Sequence, residues 1–96
     1  MDRKTIKKNV TLKNVTIVLY DYDTSDKPLE SLSNIECLDS LGNLLWIIEK
    51  PVTHFEAYYD MWMDSVSNRL IAVTGSGFRH EIDIHTGKIL KSYLVK

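Results

Sequence analysis

The side chains able to do chemistry are few, and their spacing serves catalysis badly. His80, Glu81, Asp83 and His85 fall close together. Side chains alternate along an extended strand, so Glu81, Asp83 and His85 share one side and His80 faces the other. One imidazole with two carboxylates at strand spacing has no ligand pattern of a structural or catalytic metal site. The pairs Asp21 with Asp23 and Asp60 with Asp64 imitate an acid–base dyad, but the sequence carries no pocket signal around them, and solvated acids are the expected state. His54, between Thr53 and Phe55, has no nucleophile or acid beside it. The run Gly75-Ser76-Gly77 is too short to cradle a phosphate and no helix pattern follows it. The single cysteine, Cys37, sits in an apolar run and reads as a small buried hydrophobe; it can form no internal disulfide, as in a reducing compartment. The sequence therefore predicts no catalytic residue, no cofactor and no metal site.

The elements that position these residues announce themselves by a duplication. IECLDSLGNLLWII and HEIDIHTGKILKSYL each carry an alternating apolar run into an Asp (Asp39, Asp83), then a Gly (Gly42, Gly87) followed by Asn43 or Lys88. An Asp carboxylate accepts hydrogen bonds from the backbone just ahead of it, and Gly takes positive φ without strain, so each unit predicts a tight hairpin. The tandem Lys-Asn-Val-Thr, at Lys8 to Thr11 and Lys13 to Thr16, predicts two paired strands joined near Lys13 and Asn14. From Asp21 to Ser33 alternation is lost around Pro28, which predicts an exposed loop. Three further strands are expected at Leu70 to Thr74, Phe78 to Ile84 and Ile89 to Val95, giving about eight in all.

The stretch FEAYYDMWMD alternates so that Phe55, Ala57, Tyr59, Met61 and Met63 would face a core. Glu56, Tyr58, Asp60, Trp62 and Asp64 would then face solvent, mixing acids with aromatics. A short helix would also align the three acids, but the aromatic content favours a strand.

Charge is segmented. Residues 1–14 hold five basic and one acidic residue, 15–65 two basic and ten acidic, and 66–96 five basic and two acidic, leaving a net charge of −1. An acidic middle that shared one face would repel nucleic acid and attract a cationic protein. The alternative is acids scattered over solvated hairpins. Ninety-six residues, 44% hydrophobic and 26% charged, suit one folded domain spanning 1–96 rather than a disordered chain. No apolar segment of signal-peptide length follows the basic start, and the longest wholly apolar run, Leu44 to Ile48, is too short to span a bilayer, so cytoplasmic residence is expected.

Leu-Asp-x-x-Gly-Asn-x-Leu-Trp, at Leu38 to Trp46, and Ile-Asp-x-x-x-Gly-Lys-x-Leu, at Ile82 to Leu90, resemble the last hairpin of a blade in quinoprotein-type β-propellers. Two blade ends in one short chain imply an all-β half-β-propeller of two antiparallel four-stranded sheets. Small bacterial half-propeller domains of this size and pattern resemble immunity proteins of contact-dependent toxin systems. That resemblance implies a non-enzymatic binder, a monomer that meets its cognate toxin one to one and blocks the active site. A cationic toxin, such as a nuclease whose basic cleft grips phosphate, would be met by Asp21, Asp23, Asp26, Glu56, Tyr58, Asp60, Trp62 and Asp64, without direct contact to nucleic acid or membrane. The rival expectation is a structural or adaptor β-domain that self-associates through open sheet edges.

Overall fold

The structure, a computed structural model, describes residues 4–22, 33–51 and 57–94. Its eight strands are β1 (Lys4–Thr11), β2 (Val15–Tyr22), β3 (Ile35–Asp39), β4 (Leu44–Ile47), β5 (Tyr58–Asp64), β6 (Arg69–Thr74), β7 (Phe78–Ile82) and β8 (Ile89–Leu94). They form two antiparallel four-stranded meanders, β1-β2-β3-β4 and β5-β6-β7-β8. The all-β, two-sheet architecture expected from the hairpin signals holds. The stretch at 58–64 is a strand, β7 ends two residues earlier than expected, and Val95, the expected end of β8, lies outside the described residues. Asp21 and Tyr22, expected to open a loop, instead belong to β2, and 23–32 lie outside the described residues.

The duplicated turns form as their residues require. Asp39 Oδ1 accepts the backbone N–H of Leu41 at 2.9 Å and of Asn43 at 2.8 Å, and Gly42 takes φ 86°. In the second copy Asp83 Oδ1 accepts the N–H of His85 at 2.8 Å, and Gly87 takes φ 75°. Asp64 does the same between β5 and β6, holding Ser67 by its hydroxyl at 2.6 Å while Asn68 adopts φ 58°. Three acids of the sequence thus hold turns, in which a carboxylate replaces water for three donors at Asp39 and Asp64 and for one at Asp83.

One core joins the sheets. Ile17, Leu19, Ile35, Cys37, Trp46 and Ile48 from the first meet Tyr58, Met61, Leu70, Ala72 and Ile82 from the second. Cys37 is buried, and burial pushes its thiol pKa up, as expected of a small core residue. Polar joints fix how the sheets meet. The Trp46 indole N–H donates to the carbonyl of Ile84 at 2.9 Å, and the N–H of Glu49 donates to the carbonyl of Gly87 at 3.0 Å. Asn34, 2% exposed, donates from Nδ2 to the carbonyls of Tyr20 and Tyr58 and accepts the Tyr58 N–H on Oδ1. A buried amide with three partners is satisfied, and it ties the approach to β3 to the start of β5.

Two bulges set the phase of the strands that carry the candidate site. The β1–β2 register shifts between Ile6 and Lys8, and the β5–β6 register between Tyr58 and Asp60. Each bulge inserts one residue, Lys7 or Tyr59, and a one-residue insertion sends everything before it to the opposite face.

Candidate partner-binding face

The bulge at Tyr59 overturns one expectation. Tyr58 is not on the surface but 3% exposed in the core, its hydroxyl donating to the carbonyl of Glu49 at 2.9 Å. Burial, with Glu49 nearby, pushes its pKa well up. Tyr59, assigned to the core by strict alternation, is the outward aromatic at 55% exposure. After the bulge the expected phase returns, with Met61 fully buried and Asp60, Trp62 and Asp64 sharing the face opposite the core.

Cross-strand register builds that face. Trp62 stands opposite Ile71, which stands opposite Glu81; Asp60 stands opposite Val73, which stands opposite Arg79. Ile71 and Val73 are 5% and 9% exposed although they point away from the core, because Trp62, Arg79 and their neighbours cover them. The Arg79 guanidinium carbon lies 5.3 Å from the centre of the Trp62 ring. Lys7 Nζ lies 4.6 Å from the centre of the Tyr59 ring, so the two bulged residues meet. Each arrangement is a cation over an aromatic face. Tyr59, Asp60, Trp62, Val73, Thr74, Gly75, Gly77 and Arg79 line an open hollow of about 300 Å³.

The acids of this face are already engaged. Asp60 receives Lys8 Nζ at 3.0 Å and its own neighbour's N–H, from Met61, at 2.8 Å. Partial burial pushes the Asp60 pKa up, but Lys8 and the Met61 amide outweigh it and hold the carboxyl below its ordinary value. Glu81 receives Arg69 at 2.7 Å. Asp64 is spent on its turn, whose donors, Ser67 first, lower its pKa. Among the described residues Lys7, Arg79 and, opposite Glu81, Lys91 are in no ion pair on this face, although the charge of Lys7 helps lower the Asp60 pKa, so cations outnumber carboxylates around the hollow.

The structure thus brings together three of the residues singled out by sequence: Asp60, Trp62 and Asp64. Asp21 lies on the other sheet, exposed and paired with Thr5 across β1–β2. Asp23, Asp26 and Glu56 lie outside the described residues, as does His54. Sequence reasoning missed Tyr59, Lys7 and Arg79; the Tyr58-Tyr59 doublet was the one available signal, since either tyrosine can face outward.

Several of the residues able to do chemistry have structural partners. Glu81 is in its ion pair, Asp83 holds its turn, and among the described residues no three His, Cys, Asp or Glu side chains gather as metal ligands. His80 is fully buried on the core side, its ring edge-on to Tyr58 with centroids 5.4 Å apart and Nδ1 3.3 Å from the carbonyl of Ala72. Burial lowers its pKa. No helix among the described residues is long and apolar enough to cross a membrane.

No match is found to a curated protein or to a solved structure. The family model described as Domain of unknown function (DUF7957) matches residues 2–94, and the chain belongs to that family.

Proposed function

We propose that the chain is a non-enzymatic protein-binding domain of the cytoplasm, an immunity protein that docks on a toxin domain of the same cell and occludes its active site. The observation that carries this reading is the outward pair Tyr59 and Trp62, each under a cation beside an open hollow, on a sheet whose opposite face carries the core. Exposed aromatics and Arg on a rigid element are what protein-binding hot spots use. The cross-sheet joints at Trp46, Glu49 and Asn34 support it, because a platform that does not reorganise loses less entropy on association. The duplicated Asp-to-Gly hairpins support a half-propeller relation between the two sheets. Asp21, at the exposed end of β2, precedes the acidic run Asp23 to Glu30; these acids would steer a cationic partner.

The test is co-expression with the C-terminal domain of a large secreted protein, where one is encoded next to this chain. Protection of the host and recovery of a one-to-one complex are the expected results, and growth arrest with no complex would sink the reading. A second reading, self-association through sheet edges, is favoured by β4, an edge strand whose Leu44, Leu45 and Ile47 are each about half exposed. Light scattering across a concentration series separates the two: the first gives a monomer, the second a mass that rises with concentration.

A further inference from the structure

We propose that the hollow between Trp62 and Arg79 receives a carboxylate side chain of the protein partner, gripped by Arg79 and flanked by the aromatic rings of Trp62 and Tyr59. This deepens the docking reading above and rests on it.

The argument begins with the donors. A guanidinium carries five N–H groups in a fixed fork, and stacking on an indole uses its face while leaving the fork free. Among the described residues Arg79 has its contact to the Trp62 ring and neither a hydrogen-bond acceptor nor an ion-pair partner. Its neighbours on the same face show what a satisfied cation looks like here: Arg69 holds Glu81 at 2.7 Å and Lys8 holds Asp60 at 3.0 Å. Arg79 is therefore held in place by Trp62 and opens onto a hollow whose floor includes the apolar Val73 and whose rim is the Gly75–Gly77 turn. Lys7, over the Tyr59 ring and in no ion pair, adds a second positive charge at the margin. Desolvating such a guanidinium under a partner is favourable only if the partner supplies an anion in return.

The kind of anion follows from the surroundings. The carboxylates of Asp60, Asp64 and Glu81 stand on the same face, and nucleic-acid grooves instead run several Lys and Arg along a backbone. One guanidinium between aromatic walls suits a single carboxylate with an apolar neighbour, paired in a fork. A metal-dependent or acid–base enzyme carries carboxylates at its centre, so an inhibitor reaching such a centre would meet one.

The test uses four probes on isotope-labelled protein, reading the indole N–H of Trp62 and the Nε–H of Arg79 by nuclear magnetic resonance. The probes are blocked tripeptides Glu-Phe-Glu, Gln-Phe-Gln and Lys-Phe-Lys and an octathymidylate; the indole of Trp46, bonded to Ile84, is the internal control for folding. The acidic tripeptide should shift both signals saturably and bind about ten-fold more tightly than the neutral one, the discrimination worth about 1.4 kcal/mol that a charge-assisted fork provides. Arg79→Gln should reduce it to the level of the neutral peptide with the Trp46 signal unmoved. Equal binding of all three tripeptides would remove the carboxylate while leaving the docking face standing. Silence with every probe, unchanged binding by the Gln variant, or tighter binding of the oligonucleotide would overturn the proposal, and co-expression would still judge the toxin reading separately.

Discussion

Gly87 lies directly against the indole of Trp46: a Cβ at Gly87 would come within 2.5 Å of Trp46 Cε3 and 2.8 Å of Cδ2. The same indole donates to Ile84, three residues before Gly87, so one side chain of β4 both covers and hydrogen-bonds the β7–β8 turn. The glycine of the second hairpin thus has two requirements, positive φ and room for a ring from the other sheet. Gly42 has only the first, with φ 86° and nothing within 4 Å of where a methyl group would stand.

That difference separates two substitutions of the same kind. Gly42→Ala should cost about 1 kcal/mol, the strain of a side chain at positive φ. Gly87→Ala should cost about 3 kcal/mol or more, because the methyl must also displace Trp46. Urea denaturation of both variants measures this, and the double variant Trp46→Ala with Gly87→Ala should cost less than the sum of the singles. Equal costs at the two glycines would show that the indole contact carries no weight.

Asn34 is the second joint. Asn34→Leu keeps volume but leaves the carbonyls of Tyr20 and Tyr58 and the N–H of Tyr58 without their partner, with an expected loss of roughly 3 kcal/mol. A loss under about 1 kcal/mol in chemical denaturation would mean that water replaces the amide.

The sequence made the hairpins legible because their chemistry is local: Asp39 and Asp83 bond amides two residues ahead, and Gly42 and Gly87 need no distant partner to adopt positive φ. It could not reveal that Gly87 also needs space under Trp46, since that contact joins residues far apart in the chain and in different sheets. The strand at Tyr58 to Asp64 was legible in type, but its phase was not. A bulge is decided by how β5 meets β6 and β1, and the insertion of Tyr59 exchanges the roles of two adjacent tyrosines. What the acids of the middle segment hold was hidden for a related reason. Their count was right, but Asp39 and Asp64 close turns and Asp60 holds Lys8, which composition cannot express.

Stability should depend on pH in two windows. Burial holds the pKa of His80 below its ordinary value of 6.5, so the unfolded state takes up a proton that the folded state refuses. The contribution of neutral His80 is full above pH 6.5 and is lost as pH falls toward the folded pKa. Asp39, Asp60 and Asp64, held below the ordinary 3.8, contribute above that value and lose their contribution as pH falls through their folded pKa. Thermal melts from about pH 8 to about pH 3 should show both declines, and His80→Gln should flatten the upper one alone. An unchanged upper slope in that variant would assign it to another group.

Apolar exposure on β4 predicts a different behaviour. Leu45→Lys with Ile47→Lys replaces two half-exposed aliphatic chains on an edge strand by charge, which should change stability by roughly 0.5 kcal/mol or less per site. Aggregation during heating should slow, because an apolar edge is the surface that templates strand pairing. Turbidity curves for wild type and the double variant decide it; identical curves would place the vulnerable segment elsewhere.

The acids named by sequence should separate by what each one holds. Asp64→Asn keeps a weaker acceptor for Ser67 but loses the charge that strengthens those bonds, so the β5–β6 turn should be weakened and the denaturation midpoint lowered. Asp60→Asn removes an ion pair whose partners are both about 40% exposed, and such pairs are worth about 0.5 kcal/mol. That variant also frees Lys8 and makes the hollow still more positive, so the acidic tripeptide should bind it more tightly than wild type. Asp21→Asn, exposed on the other sheet, should alter neither stability nor the tripeptide, and should slow association only with a cationic partner that approaches from β2. Denaturation and peptide titration of the three variants check these together. A tripeptide that binds Asp60→Asn more weakly would mean that the Asp60–Lys8 pair itself shapes the binding face, and the electrostatic account of the hollow would need Lys8 held where it is.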